Sequence, residues 1–151
     1  MSHAPVEISV EAKSAASPAT VFAIAKDSAG YPRWSRIGSF EHLADGAGEL
    51  FGLGSRRRFR TPPLNLTEEV VELIPGRRVG YILLTGLPFE GYRANIDLTP
   101  ADDGGTLIRW SNHFVVTWPL MRGFFAWFMR GVFKEMAPQL AREAERLEAG
   151  T

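Results

Sequence analysis

Residues 118–133 read WPLMRGFFAWFMRGVF, and twelve of these sixteen residues are apolar. They follow a strand predicted at Leu107–Val116, and Pro119 is expected to open a helix that becomes amphipathic and runs to about Glu148. A helix docked on a small domain needs only one apolar stripe. Because the first half of this helix is apolar almost all round, we expect it to face something besides a sheet: a cavity, a ligand, a partner chain or a lipid surface.

The residues before this helix predict a series of short strands. Alternating apolar and polar positions indicate strands over 6–13 and 92–99. Other strands are predicted at Ile37–Ala44, Ser55–Arg60, Leu66–Ile74 and Val79–Leu84. A short helix capped by Ser17, with Pro18 in its first turn, follows the first strand. Strands covered by a segregated helix predict an α+β fold, and we expect one domain over 1–151, ordered from about 6 to 148.

Composition restricts the classes of function. Seventeen basic residues balance seventeen acidic ones, so we expect no nucleic-acid partner. The chain has no cysteine, and its three histidines share no ligand spacing, so we expect no metal. The glycines near residue 50 do not match a phosphate-binding motif, so no cofactor is expected. With neither a signal peptide nor an apolar run of roughly 18–20 residues, we expect a cytoplasmic protein.

Four motifs together resemble a known family. They are SPATVF at 17–22, Trp34 after the short helix, GSRRRFR at 54–60 and PGRR at 75–78. Their order resembles the START-like (SRPBCC) superfamily, in particular its bacterial polyketide cyclase/dehydrase and lipid-transport branch. The resemblance implies a helix-grip fold: a seven-stranded antiparallel sheet wrapped around a long C-terminal helix, with two short helices or turns after the first strand. It also implies a deep apolar cavity for a small hydrophobic molecule, without fixing an activity.

Side-chain directions predict the cavity wall. At 100° per residue, Trp118, Phe125, Met129 and Phe133 face the sheet, and Arg122 is the one charged residue on that stripe. Arg122 either extends to solvent from the start of the helix or anchors a ligand carboxylate or phenolate. The other residues expected to contact a ligand are Trp34, Phe59, Tyr92, Ile96, Trp110, Asn112 and Phe114. Asn112, a polar residue on an apolar face, either bonds a neighbouring group or orients a ligand oxygen.

A second apolar stripe lies on the other side of the helix. Leu120, Phe124 and Trp127 project away from the predicted sheet. A contiguous apolar patch of this kind usually marks an interface. We expect a homodimer contact or a peripheral membrane contact here, unless the loops around Tyr31 and Pro62 cover the patch.

Three hypotheses of function remain open. The first is a module that binds a small hydrophobic or aromatic molecule, lipid or polyketide-like. The second is an aromatic polyketide cyclase or dehydratase that uses polar cavity residues as acid or base. Its candidate catalytic residues are Arg57, Glu69, Tyr81, Tyr92, Arg93 and Asn112. The pattern does not decide which face of the strand at 56–60 looks inward, nor which of the neighbours Glu68 and Glu69 does. The third is a partner-regulating stress-response module that acts through the outer stripe of the helix.

Overall fold

The computed structural model describes residues 4–150 of the chain. Within that range the backbone forms seven strands, three α-helices and one turn of 3₁₀ helix at Ser28–Gly30. The strands are β1 (Val6–Ser14), β2 (Ser39–Ala44), β3 (Arg56–Thr61), β4 (Leu64–Ile74), β5 (Arg78–Thr85), β6 (Phe89–Pro100) and β7 (Thr106–Val116). The helices are α1 (Pro18–Lys26), α2 (Tyr31–Trp34) and α3 (Arg122–Ala149).

All seven strands belong to one antiparallel sheet. Its strand order is β1-β7-β6-β5-β4-β3-β2, so that consecutive strands from β2 to β7 are neighbours and β1 closes on β7. The long helix α3 packs on one face of this sheet, mainly against β1 and β7. The expected α+β helix-grip architecture is therefore confirmed.

The C-terminal half of α3 is fixed to the corner between β1 and α1. Ser14 donates its hydroxyl hydrogen to the carbonyl oxygen of Ala141 at 2.9 Å. The backbone N–H of Ala15 donates to Glu145 at 2.7 Å, and that of Ser17 donates to Glu148 at 2.7 Å. These bonds fix the second half of the helix to the segment that joins β1 and α1.

The start of α3 differs from the prediction. Pro119 does not open the helix, which begins at Arg122 after a turn. Within that turn Leu120 has a φ of 65°, in the left-handed region that interrupts a right-handed helix. Trp118 therefore does not share the helical phase of Phe125 and is exposed rather than part of the cavity wall. Extending the helical period backward through this turn is what made the prediction wrong.

The strand alternation defines the inner face of the sheet. The apolar positions of β6 and β7 are buried as predicted: Tyr92, Ala94, Ile96, Leu98, Ile108, Trp110, Phe114 and Val116. On β3, Arg57 and Phe59 are buried while their neighbours Arg56 and Arg60 are exposed, which settles the face of that strand. None of the helices within residues 4–150 is long and apolar enough to cross a membrane.

Candidate functional site

A cavity of about 720 Å³ lies between the sheet and the first half of α3. This volume falls within the usual range of small-molecule sites, roughly 300–1,000 Å³. The sheet contributes Arg57, Phe59, Leu66, Glu68, Tyr81, Tyr92 and Trp110 to the lining, and α3 contributes Phe125, Phe128, Met129, Val132, Phe133 and Met136. Tyr31 of α2 also borders the cavity, and exposed residues such as Pro62, Phe124 and Trp127 form its mouth.

The polar part of the lining centres on a buried ion pair. Arg57 on β3 and Glu68 on β4 are direct partners in the antiparallel register. The Arg57 Nε donates to Glu68 Oε1 at 3.0 Å, and Nη2 lies 3.0 Å from the same oxygen without forming an aligned hydrogen bond. Nη1 donates to the hydroxyl of Ser28 at 3.0 Å. Both contacts with the carboxylate use Oε1, so Glu68 Oε2 lies outside the ion pair.

Aromatic rings enclose the Arg57 guanidinium. Its central carbon lies 5.2 Å from the ring centroid of Tyr31, 4.9 Å from that of Phe59 and 4.8 Å from that of Tyr81. Cations within about 6 Å of an aromatic face are attracted by the ring quadrupole. The rings and Glu68 together stabilise a charge that burial alone would make costly.

Burial sets the protonation of this cluster. Burial raises the pKa of Glu68, and the positive charge of Arg57 only partly opposes this rise. Burial also raises the pKa of Tyr31 to about 12, and it raises the pKa of Tyr81 and of Tyr92. Burial alone would lower the pKa of Arg57, but its electrostatic interactions with Glu68, Tyr31 and Tyr81 and its hydrogen bond to Glu68 together raise it, so the guanidinium stays charged. The three tyrosine hydroxyls therefore remain protonated at neutral pH.

Two further hydrogen bonds orient the tyrosines of the sheet. The indole N–H of Trp110 donates to the hydroxyl of Tyr81 at 3.0 Å, and Trp110 stacks on Phe133 with centroids 5.4 Å apart. The amide of Asn112 donates to the hydroxyl of Tyr92 at 3.4 Å. Of the two roles considered for Asn112, the structure shows the bond to a neighbour. Its side chain is buried under Tyr92 and lies outside the cavity lining.

The cavity brings together part of the residue set predicted from the sequence. Those that line it are Arg57, Phe59, Tyr81, Tyr92, Trp110, Phe125, Met129 and Phe133. Tyr31 and Glu68 complete the polar cluster but were not among the candidates. A signal existed for both, since Tyr31 is one of only three tyrosines in the chain and Glu68 is one of two adjacent glutamates on a strand.

Other expected cavity residues lie elsewhere. Ile96 belongs to the core, and Phe114 stacks on Phe89 with centroids 4.1 Å apart, so neither borders the cavity. Trp34 is buried beside a separate pocket of about 270 Å³ that Arg142 and other polar residues of α3 line. These side chains are buried, but none of them borders the cavity beneath α3.

Three charged candidates point away from the cavity. Arg122 is exposed and donates to the backbone carbonyls of Ala4 and Pro5 at 3.0 and 2.9 Å, so it is not a ligand anchor. Arg93 bonds Glu72 and Asn95 on the outer face of the sheet. Glu69 accepts a hydrogen bond of 2.8 Å from Arg56 on that outer face. The inward carboxylate is Glu68, and the placement of Glu69 in the site was wrong.

The outer stripe of the helix remains uncovered. Leu120, Phe124 and Trp127 are all exposed, so the loops around Tyr31 and Pro62 do not fold over them. Tyr31 is instead buried in the core. Within residues 4–150 no cluster of three or more His, Asp or Glu side chains is placed to hold a metal ion.

A family model describes this arrangement over nearly the whole chain. The model for polyketide cyclase / dehydrase and lipid transport matches residues 5–147. The chain belongs to this family. The resemblance to the START-like superfamily inferred from the motifs is thereby confirmed. No curated protein matches the sequence significantly.

Solved structures of the same fold show how widely it is used. A START superfamily protein from Mycobacterium smegmatis superposes with a TM-score of 0.80 at 18% identity, covering 93% of this chain and 98% of that one. A norcoclaurine synthase mutant from Thalictrum flavum, in complex with a transition-state analogue, gives a TM-score of 0.79 at 16% identity and covers 100% and 99%. A Thermus thermophilus protein gives 0.70 at 22% identity, covering 96% and 99%. At these identities the similarity establishes the fold alone.

Proposed function

We propose that this polyketide cyclase/dehydrase and lipid-transport family member binds a small hydrophobic molecule, lipid or polyketide-like, in the cavity beneath α3. The observation that carries the proposal is an apolar cavity of about 720 Å³ with one cluster of polar side chains in its wall. Sites of this composition take up apolar ligands and orient them through a few polar contacts. Membership of the family supports the same class of ligand.

The polar cluster favours a ligand that carries a hydroxyl or phenol group. Arg57 is already neutralised by Glu68 at 3.0 Å, so a ligand carboxylate has no unpaired charge to meet. Glu68 Oε2 is available as an acceptor, and the hydroxyls of Tyr81 and Tyr92 lie nearby on the same wall. A largely aromatic molecule with one or two oxygen substituents fits both the rings and these polar atoms.

Ligand binding is tested with a neutral aromatic probe. N-phenyl-1-naphthylamine fluoresces when it enters an apolar site, and we expect saturable binding to the purified wild-type protein. Met129→Trp places a larger side chain in the cavity. It should weaken binding of the probe about tenfold or more, because the tryptophan occupies part of the cavity volume that the probe needs. Leu147→Ala, an exposed position on the same helix, is the matched control. Absence of saturable binding, together with native mass spectra that show no co-purified molecule, would refute the proposal.

A second candidate function is a polyketide cyclase or dehydratase. Glu68 favours it, because a buried carboxyl with a raised pKa, in a wall that also carries tyrosine hydroxyls, can exchange a proton with a bound ligand. In that case Glu68→Gln should remove turnover of an aromatic polyketide analogue while the naphthylamine probe still binds. A carrier would show no turnover in the wild-type protein, and that result would reject the enzymatic candidate while leaving the binding proposal standing.

A further inference from the structure

We propose that the start of α3 and the turn before it dock this protein on an anionic lipid surface, with the mouth of the cavity facing the bilayer. The docking surface is the mouth patch, formed by Trp118, Leu120, Phe124 and Trp127. The proposal rests on the position of the cavity mouth and on the patch itself, and it does not require that any ligand has been identified.

The mouth patch is apolar, continuous and open to solvent. The exposed fraction is 96% for Leu120, 72% for Trp127, 57% for Trp118 and 49% for Phe124. The rings are adjacent: Phe124 lies 6.2 Å from Trp127 between centroids, and both Trp118 and Phe124 pack edge-on against the buried ring of Phe125. Contiguous exposed aromatic surface of this kind marks an interaction site rather than scattered surface apolarity.

The turn before α3 holds its apolar side chain away from the protein. Leu120 is the one residue other than glycine with a positive φ among residues 4–150, at 65°. A branched side chain is disfavoured in that conformation, and strain of this kind persists mostly where function needs it. Here the strained backbone leaves a leucine almost wholly exposed, which has no benefit for the core.

The charges around the mouth patch identify its occupant. Residues 117–134 contain Arg122, Arg130 and Lys134 and no acidic residue, although the whole chain is neutral. None of these three side chains forms an ion pair with another of the residues 4–150. Arg122 donates hydrogen bonds only to backbone carbonyls. Arg36, at the far rim of the cavity, is already paired with Glu135. Apolar aromatic residues bordered by unpaired cations fit the interface of a bilayer with anionic headgroups.

A second copy of the chain fits this surface less well. A two-fold dimer places the same patch against itself, so that the basic residues Arg122, Arg130 and Lys134 of both copies would be brought into one interface. Like charges in a partly dehydrated contact repel. An anionic bilayer instead supplies negative headgroups for these cations. Its apolar layer can receive the side chains of Leu120 and Trp127.

The mouth patch is also continuous with the cavity. Phe124 and Trp127 line the cavity while remaining exposed, and Phe128 joins them from the inside. A protein docked through these side chains presents an apolar opening directly to the lipid. An apolar molecule could then pass between bilayer and cavity without crossing water.

The test is co-sedimentation with vesicles of two compositions. One set is phosphatidylcholine alone, and the other contains roughly one-third phosphatidylglycerol; we expect clear binding to the second only, weakened by high salt. Leu120→Ser combined with Trp127→Ser should reduce binding about tenfold or more, because it removes the two most exposed apolar anchors. Leu53→Ser combined with Leu147→Ser, also exposed but distant in sequence from the patch, should bind like the wild type.

Two further measurements decide among the alternatives. Arg130→Gln combined with Lys134→Gln should weaken binding to the anionic vesicles by about twenty-five-fold, since each surface cation contributes about fivefold. Brominated phosphatidylcholine should quench fluorescence less in Trp127→Phe than in the wild type. Failure to bind the anionic vesicles would overturn the proposal. So would a stable dimer in analytical ultracentrifugation that Leu120→Ser and Trp127→Ser dissociate. Probe binding in the cavity is measured without vesicles, so either proposal can fail while the other stands.

Discussion

Arg57 on β3 lies directly opposite Glu68 on β4, and their side chains form a buried ion pair with Nε 3.0 Å from Oε1. The pair sits in a cavity wall that is otherwise mostly apolar. Two buried charges of opposite sign offset each other's dehydration, whereas either one alone is costly. The wall therefore tolerates this pair as a unit.

Removing one member of the ion pair should lower the free energy of unfolding more than removing both members. Arg57→Met leaves the Glu68 carboxylate buried without a cation, and we expect the free energy of unfolding to fall by about 3–5 kcal/mol. Arg57→Met combined with Glu68→Leu keeps the volume and leaves no buried charge, so it should be more stable than Arg57→Met alone. Urea denaturation at neutral pH measures both. A double variant that is less stable than the single variant would contradict the coupling.

Glu68 should make stability depend on pH in a defined direction. Burial raises its pKa above the ordinary value of 4.5, so the folded state holds the proton more tightly than the unfolded state. Its contribution is complete below the ordinary pKa and is lost as the pH rises through the raised pKa. The stability of the wild type relative to Glu68→Gln should therefore decrease as the pH rises above the ordinary pKa of 4.5. Urea denaturation at a series of pH values from the ordinary pKa upward tests it, and a constant or increasing difference would contradict the direction.

The sequence predicted the sheet well because its signals are local. Alternation placed β6 and β7 and their buried face, the order of the elements predicted the α+β class, and the family resemblance implied the helix-grip fold. The errors came from structural features that the periodicity of apolar residues in the sequence does not indicate. The turn at Leu120 changes the phase of α3 and moves Trp118 to the surface. Irregular pairing within β4 and the register with β3 decide that Glu68, rather than Glu69, lies inside.

The composition of the cavity was harder to predict than its existence. Inward-facing residues such as Ile96 and Phe114 are buried as expected, but whether they border empty space depends on how neighbouring rings pack. Phe89, for instance, stacks on Phe114 and fills the space there. Tyr31 reaches the cluster from a four-residue helix whose position depends on tertiary packing. Sequence patterns give the face of a side chain and leave its neighbours undetermined.

A glycine in the cavity segment of α3 should limit the stability of that helix. Gly131 is exposed, and a methyl group added there would meet no atom within 4 Å. Gly131→Ala should therefore stabilise the protein by about 1 kcal/mol, which raises the melting temperature by about 2–4 °C in a chain of this size. Gly54→Ala is the control, because that glycine has equal space but a φ of +90°. Thermal unfolding should show a gain for the first variant and a loss for the second.

The three tyrosines should titrate abnormally, since all of them border the cavity. Burial raises the pKa of Tyr31 to about 12 and also raises the pKa of Tyr81 and Tyr92. Because the pKa of these hydroxyls is higher in the folded state than in the unfolded state, the protonated hydroxyls contribute to stability. Their contribution is complete below the ordinary pKa of 10 and is lost as the pH rises beyond it. At pH 11 an ordinary tyrosine is about nine-tenths ionised, whereas the folded protein should show little tyrosinate absorbance.

In urea all three tyrosines should ionise near their ordinary pKa, and the free energy of unfolding of the folded protein should decline above pH 10. Tyr31→Phe should remove the first ionisation step of the folded protein, because burial shifts the other two hydroxyls further. Tyrosinate absorbance with simultaneous circular dichroism separates ionisation from unfolding. If one or more tyrosines ionise near pH 10 while the fold is intact, that hydroxyl is in contact with water, and the burial described for that tyrosine is wrong.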